Sequence, residues 1–151
     1  MTDTTWPGMQ FGIFSVGDVT QNPITGKTPS EHERIKDILT IAQKVEEVGL
    51  DVFAIGQHHN PPFVPSAPTT LLGYIAAKTE RIILSTATTL ITTTDPVRIA
   101  EDYASLQHIS DGRVDLVMGR GNTGPVYLWL VLQIRQRPPL AIAIYPLPPK
   151  L

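Results

Sequence analysis

The chain has 151 residues, 12 of them Lys or Arg and 14 Asp or Glu, for a formal net charge of −2. This length suits one domain with its own core, and the near-neutral charge balance argues against binding to nucleic acid or an anionic membrane. The absence of cysteine excludes disulfides, thiolate catalysis and Cys-ligated metals. The first ten residues lack a basic residue, and no apolar run approaches the roughly 20 residues of a membrane span. We therefore expect a cytoplasmic protein.

Two strand–helix units are predicted in the first 80 residues. The apolar run Met9–Val16 predicts a buried strand, and a helix follows from the cap Ser30, with Glu33 as capping-box partner, to Gly49. A second buried strand is predicted at Asp51–Gly56, and its apolar character is typical of a parallel sheet. The side chains expected to face the core are Ile35, Ile38, Leu39, Ala42 and Val45 in the first helix and Leu71, Leu72, Ile75 and Ala76 in the next.

Two further strands and a helix are predicted before residue 120. A strand at Ile82–Leu90 precedes a helix that begins at Asp95–Pro96, an N-cap acid followed by proline at the first helical position, and continues to about Ile109. The turn Asp111–Gly112 leads into a fourth strand at Arg113–Met118. The side chains expected on one side of this helix are Val97, Ala100, Tyr103 and Ala104.

The alternation of strands and helices predicts an α/β fold of parallel strands joined by right-handed crossovers. Two architectures remain open, an open doubly wound sheet and part of a (β/α)8 barrel, although no GxGxxG motif follows the first strand. In both, functional groups lie beyond the carboxyl ends of the strands. The loops there contain Gly17–Asp18, Gln57–Asn60, Thr88–Thr94 and Gly119–Asn122, which predicts one site at one edge of the sheet.

The adjacent residues His58 and His59 directly follow the second strand. Because side chains alternate along an extended chain, we expect only one of them to enter a given pocket. One could act as a general base or lie beside a cofactor, and the other could be structural. A metal site with Asp18 is the less favoured alternative, because no further histidine follows the third or fourth strand.

Two other segments at the same predicted edge have an unusual composition. The glycines in Gly119–Asn122 allow close approach of the backbone to a ligand, and Arg120 offers a planar fork to a phosphate or carbonyl; a plain turn is the alternative. Seven of the ten residues in Ser85–Thr94 carry a hydroxyl. Threonine favours strands, but a row of small side chains also leaves room for a flat ring.

The order of these segments resembles the N-terminal half of the bacterial luciferase-like family of flavin-dependent monooxygenases. The resemblance extends from about Met9 to Tyr127 and rests on EEVGLDVFAIGQHHN, on ILSTATTLITTTDPVRIAEDYASLQHISDGRVDLVMGRGN, and on their spacing. It implies the first four units of a TIM-type (β/α)8 barrel, truncated, because a complete barrel takes about 250 residues. It also implies a flavin cofactor, FMN or the deazaflavin F420.

The resemblance implies roles for individual residues. His58 matches the catalytic histidine beside the flavin ring, and Arg120 matches an arginine that holds the flavin. The bond between Ala87 and Thr88 falls where family members have a non-proline cis peptide beneath the ring. Gly119 stands where the luciferases have cysteine. The remaining residues implied to line the flavin are His59, Gly121, Asn122 and Thr123.

The activity implied is oxygenation of a small organic substrate by reduced FMN and O2, with a separate supplier of reduced flavin. His58 would move a proton near the flavin while Arg120 anchors it. The alternatives are an F420-dependent oxidoreductase that transfers hydride without oxygen, and a non-catalytic half-barrel that binds flavin or a partner. We expect residues 1–126 to form the luciferase-like region and 127–151 a divergent proline-rich tail. Open strand edges predict a homo-oligomer.

Overall fold

The computed structural model describes residues 8–121 and Val126. Asn122, Thr123 and the predicted tail therefore lie outside the described residues. The elements in chain order are β1 (Gly12–Ser15), α1 (Glu31–Glu47), β2 (Val52–Ile55), α2 (Pro68–Ala76), β3 (Ile83–Thr86), β4 (Thr89–Leu90), α3 (Pro96–Ile109), β5 (Val114–Asp115) and β6 (Met118–Gly119).

Four strands form a parallel sheet in the order β1-β2-β3-β5. Each crossover moves the chain one position in the same direction, whereas a doubly wound sheet reverses its direction at a switch point. The sequential order is that of consecutive units in a (β/α)8 barrel. The prediction of parallel β/α units from the first part of a barrel is confirmed.

Local signals placed α1 and the start of α3 correctly. Ser30 accepts a hydrogen bond from the Glu33 backbone, and the Glu33 carboxylate accepts one from the Ser30 backbone, which completes the predicted capping box. Asp95 accepts hydrogen bonds from the backbone N–H groups of Val97 and Arg98. Such caps satisfy donors that would otherwise have no intrahelical partner.

The core lies between the sheet and the three helices. Phe53 and Ile55 of β2 and Leu84 of β3 are fully buried against the helices. The helical side chains buried there are Ile38, Ala42 and Val45 from α1, Leu72, Ile75 and Ala76 from α2, and Ile99, Tyr103 and Leu106 from α3.

The predicted inner face of α3 was wrong in part. Tyr103 is buried as expected, but Val97 is 58% exposed and Ala104 is also exposed. The buried stripe is formed by Ile99, Tyr103 and Leu106, which follow each other at spacings of four and three residues. The packing against α2 and the sheet determined which of two overlapping apolar stripes turned inward.

The prediction that the first strand is buried was also wrong. β1 covers only four residues, and Ile13 and Phe14 are 41% and 52% exposed. Phe11, directly before the strand, is 58% exposed. β1 is an edge strand that pairs only with β2 among the described strands, so its outer side has no neighbour there.

The third and fourth predicted strands are each divided in two. β3 and β5 belong to the four-stranded sheet, and β4 and β6 continue beyond them as a separate parallel pair. Between the two pairs, the Thr86 hydroxyl donates to the Val117 carbonyl at 2.9 Å and accepts from the Val117 N–H at 3.0 Å. A side chain thus replaces a backbone ladder bond, which strand propensity alone does not reveal.

Glu46 joins the end of α1 to the start of β3. Its carboxylate accepts hydrogen bonds from the backbone N–H groups of Glu80, Arg81 and Ile82 at 2.8, 2.9 and 3.0 Å. Burial raises the pKa of Glu46, but these three hydrogen bonds outweigh it and hold the pKa below its usual 4.5. A lowered pKa in the folded state stabilises the fold above the unfolded-state value, and that stability is lost as the pH falls through the folded-state value.

Glu46→Gln is expected to lower the free energy of unfolding by about 1 kcal/mol at pH 7, since an uncharged amide accepts these N–H groups more weakly and the site is partly exposed. The deficit should shrink as the pH falls below about 4, where the wild-type carboxylate also becomes neutral. Urea denaturation at pH 7 and pH 3 measures both values. Glu47→Gln is the matched control, because Glu47 is bonded to Lys44 at the surface. Equal deficits for the two variants at pH 7 would contradict the assignment.

Candidate functional site

The candidate site lies beyond the carboxyl ends of the parallel strands. β2 is followed by the two histidines, β3 by Ala87 and Thr88, and β6 by Arg120 and Gly121. β2 and β3 are parallel neighbours in the four-stranded sheet, and β6 forms a parallel pair with β4, which continues from β3, so these segments follow carboxyl ends on the same side. The prediction that these loops share an edge is confirmed by this topology.

His58 is held on both its backbone and its ring. Its backbone N–H donates to the Pro65 carbonyl at 3.0 Å, and its ring stacks on Phe63 with centroids 4.1 Å apart. Burial lowers the pKa of His58 below its usual 6.5, and His59 lowers it further. The ring is therefore neutral at neutral pH and able to accept a proton.

His59 has different partners from His58. Its Nε2 lies 3.1 Å from the Thr93 hydroxyl and 3.4 Å from the amide nitrogen of Gln57. Burial lowers the pKa of His59 as well. The two rings contact different neighbours, as side-chain alternation predicts, with His58 on Phe63 and His59 on the loop after β4.

Ala87, in the segment after β3, and His58 both lie close to Gly56. The peptide bond between Ala87 and Thr88 is cis, which confirms the expectation drawn from the resemblance. A Cβ placed on Gly56 would lie 3.4 Å from His58 Nε2 and 3.5 Å from the Ala87 carbonyl oxygen. His58 and Ala87 therefore both border the Gly56 backbone, and Ala87 itself is exposed.

Gly119 is in close contact with Thr88. A Cβ at Gly119 would lie 2.9 Å from Thr88 Cβ and 3.0 Å from Thr88 Cγ2, too close for a side chain to fit without displacing Thr88. The absence of a side chain at Gly119 thus makes room for the threonine. The two residues form a complementary pair between the β3–β4 and β6 segments.

Arg120 and Gly121 continue from β6. The Arg120 side chain is exposed, and its backbone carbonyl accepts a hydrogen bond from the Thr92 hydroxyl at 2.6 Å. Gly121 has a φ of +70°, a conformation that glycine adopts at little cost. Asn122 and Thr123 lie outside the described residues, so their roles stay predictions.

Two residues with contacts at this site were given no role of their own in the sequence analysis, although Gln57 lies in one of the predicted site loops. Phe63 covers one face of His58, and Gln57, only 6% exposed, connects β2 to the loop after β4. A glutamine at the end of an apolar strand is an available signal for Gln57, because a buried amide requires partners. No comparable pattern marks Phe63.

Asp18 is engaged by its own neighbours. Its carboxylate accepts from the Thr20 hydroxyl at 2.5 Å and forms an ion pair with Arg34 at 3.3 Å. The Thr20 hydrogen bond is the main reason that the pKa of Asp18 lies below its usual value. Within residues 8–121 and Val126, no three His, Asp or Glu side chains are grouped closely enough to hold a metal ion.

None of the described helices is both long and apolar enough to cross a bilayer. The cytoplasmic location expected from the sequence stays a prediction.

Thr86→Val is expected to lower the free energy of unfolding by about 2 kcal/mol, because Thr86 is fully buried and both Val117 backbone groups would lose their partner. Thr86→Ser retains the hydroxyl and should lose less than half as much. Chemical denaturation of the two variants beside the wild type measures the difference. A valine variant as stable as the serine variant would show that the hydroxyl is not needed.

A family model described as luciferase-like monooxygenase matches residues 9–139. The chain belongs to the luciferase-like monooxygenase family. Among relatives of this family, a luciferase-like monooxygenase from Escherichia coli is 32% identical over 71% of this chain and 31% of its own length. The N-acetyl-S-alkylcysteine monooxygenase of Bacillus subtilis is 29% identical over 70% of this chain and 32% of its own length. The chain thus spans about a third of the length of these relatives.

Solved structures of two monooxygenases and of an F420-dependent dehydrogenase show the same fold. The monooxygenase RslO1 from Streptomyces bottropensis superposes with a TM-score of 0.76 at 25% identity, covering 87% of this chain and 39% of its own. The oxygenating component of 3,6-diketocamphane monooxygenase from Pseudomonas putida, solved with FMN, superposes with a TM-score of 0.77 at 16% identity. The match covers 90% of this chain and 38% of that one. An F420-dependent secondary alcohol dehydrogenase superposes with a TM-score of 0.68 at 24% identity, and the match covers 89% of this chain and 39% of that one.

Proposed function

We propose that this chain contributes the catalytic histidine and part of the flavin site of a flavin-dependent monooxygenase, in which reduced FMN and O2 oxidise a small organic substrate. Family membership supports the reaction class. The observation that carries the proposal is the position of His58, a partly buried neutral imidazole that borders the same glycine backbone as the Ala87 carbonyl.

The chemistry of the residues at this edge fits a flat, polar-rimmed ring. Gly56, which borders both His58 and the Ala87 carbonyl, has no side chain, and Ala87 has only a methyl group. Arg120 offers a fork of N–H donors suited to a phosphate or ring carbonyl. Together with His59, Thr88, Gly121 and Asn122, these residues would hold the flavin, which supplies the electrons for oxygen activation when bound.

His58 acts in this proposal as the proton carrier. Its lowered pKa leaves the ring neutral at pH 7, so it accepts a proton from the reacting centre and returns it later in the cycle. Phe63 covers one face of the ring, which restricts its orientation and keeps water from that side. Arg120 would offer its positive charge to the anionic cofactor.

Two partners belong to the proposal. A separate source must supply reduced flavin, and a second copy of the chain is expected to associate with it. The exposed apolar side chains Phe11, Ile13 and Phe14 on and beside edge strand β1 support association. Size-exclusion chromatography with light scattering tests this, and a monomer at all concentrations would contradict it.

Titration of the purified chain with FMN and with F420, followed by quenching of flavin fluorescence, tests the cofactor. We expect saturable binding of FMN, and Arg120→Ala should weaken it at least about tenfold because an ionic hydrogen-bonded contact is lost. Arg98→Ala is the matched control, since Arg98 lies on the exposed face of α3 with Glu101 and Asp102 as partners. Binding of F420 alone would replace oxygenation by hydride transfer, and binding of neither would overturn the proposal.

A further inference from the structure

Gln57 has a side-chain amide whose orientation is determined by a backbone group. Its Oε1 accepts a hydrogen bond from the Leu90 N–H of β4 at 2.8 Å, and the residue is 6% exposed. A backbone N–H can only donate, so the oxygen of the amide must face Leu90. The amide nitrogen then faces the opposite way.

Three polar atoms surround that amide nitrogen. The Ser66 carbonyl, the Thr94 hydroxyl and His59 Nε2 each lie 3.4 Å from Gln57 Nε2. An amide nitrogen has hydrogens to donate and no lone pair to offer, so a protonated His59 Nε2 would bring two donors face to face. His59 Nε2 is favoured as an acceptor.

The Thr93 hydroxyl is compatible with the same arrangement. It lies 3.1 Å from His59 Nε2 and can donate to it. The Leu90 carbonyl, 3.3 Å from the same hydroxyl, also accepts from the Thr93 backbone N–H at 3.3 Å. The hydroxyl proton thus has two acceptors within reach, and the shorter distance to His59 Nε2 favours donation to the histidine.

We propose that Gln57 is a positioning residue for His59, because its amide directs a donor at Nε2 and so keeps the ring neutral with its proton on Nδ1. The ring then offers a single N–H donor, at Nδ1, on the side away from Gln57. Its relevance to the reaction rests on the proposed function, in which His59 lines the flavin. The tautomer itself is a property of the chain without cofactor.

The charged and titratable groups around His59 come from the segment after β2 and from α3. His58 adjoins it in the chain, and Asp102 and Tyr103 of α3 line the same cavity of about 300 Å³ as Gln57 and His59. The Asp102 carboxylate is bonded to Arg98 at 2.8 Å, which offsets its charge. Burial also keeps the pKa of His59 low, in agreement with a neutral ring.

Long-range ¹H–¹⁵N correlation spectra of the ¹⁵N-labelled chain, recorded without flavin across a pH series, test the proposal. We expect a pyrrole-type shift for Nδ1 of His59 and a pyridine-type shift for Nε2. In Gln57→Glu, the carboxylate still accepts from Leu90 but can only accept from His59. The proton should therefore move to Nε2, and the pKa of His59 should rise by at least about one unit.

Thr94→Val is the matched control, because it removes another contact of the same amide nitrogen while the amide and His59 remain. The tautomer of His59 should be unchanged in this variant. An Nε2-protonated His59 in the wild type, or an unchanged tautomer in folded Gln57→Glu, would overturn the proposal. The dispersion of the amide signals in each spectrum reports whether the variant is folded. If Gln57→Glu is misfolded, the tautomer of His59 in the wild type decides whether the proposal holds. These spectra are recorded without flavin, so their outcome does not depend on whether the chain binds one. A failed cofactor titration would contradict the proposed function and leave the tautomer of His59 as measured.

Discussion

His58→Ala is expected to lower the rate of substrate oxygenation by about 10²–10⁴-fold while FMN binds with nearly unchanged affinity. General acid–base catalysis by a positioned side chain contributes about this factor. Flavin binding should persist because the other groups at the strand ends, including Ala87, Thr88 and Arg120, remain. The rate is measured as O2 uptake with reduced FMN, using a panel of small organic substrates.

The pH dependence of this rate provides a second measurement. Burial lowers the pKa of His58 below 6.5, so the neutral, proton-accepting ring persists to a lower pH than for an exposed histidine. The acidic limb of the wild-type kcat profile should fall below pH 6.5 and should be absent from the residual activity of His58→Ala. His32→Ala, on the exposed surface of α1, is the control. A fully active His58→Ala would remove His58 from the mechanism.

Arg113→Ala is expected to lower the free energy of unfolding by roughly 3–5 kcal/mol, the largest stability effect that we expect from a single change in this chain. The three nitrogens of its guanidinium donate to five acceptors. These are the carbonyls of Ala76, Thr79, Ile82 and Ser110 and the Thr79 hydroxyl, at 2.9–3.1 Å. The side chain thus joins the end of α2 to the starts of β3 and β5, and its removal leaves partly buried carbonyls without their partner.

Arg113→Lys should recover only part of this stability, because an ammonium group cannot reach acceptors in so many directions. Arg98→Ala is the exposed control and should change stability by less than about 0.5 kcal/mol, since its two ion pairs lie at the surface. Urea denaturation of the three variants measures these differences. An Arg113→Ala variant within about 1 kcal/mol of the wild type would contradict the assignment. Arg113 precedes β5, at the edge opposite the candidate site, so flavin binding by the folded variant should be retained.

The elements that the sequence predicted correctly depend on residues within one turn of each other. Ser30 and Glu33 cap α1 through hydrogen bonds that span three residues, and Asp95 caps α3 in the same way. Gly49 and Gly112 take the positive φ values that end a helix or close a turn. Each signal is complete within a short segment, so no knowledge of the sheet was needed to recognise it.

The errors concern features that depend on neighbours distant in the chain. β1 has the apolar composition of a buried strand, but its place at the edge of the described sheet leaves Phe14 half exposed. The division of the third strand depends on the Thr86 hydroxyl meeting Val117, 31 positions later. The inward face of α3 depends on which of its apolar stripes meets the sheet.

The candidate site divides in the same way. His58, His59 and Arg120 were named from their positions after predicted strands and from the motif resemblance, and the parallel order of the strands brings these segments to one edge. Phe63 over His58 and the Gln57 contact with Leu90 were not foreseen. These contacts depend on how the loops after β2 and β4 fold over the strand ends.

The sequence by itself determined the succession of strands and helices, the helix caps and the family, because these depend on local periodicity and on motifs read along the chain. The tertiary structure alone decided which groups meet: the amide of Gln57 with His59 and Leu90, the hydroxyl of Thr86 with Val117, and the guanidinium of Arg113 with its five acceptors. The physical reason is that a buried polar group must find a partner wherever the packed core leaves one. Only the assembled sheet and helices specify where that is.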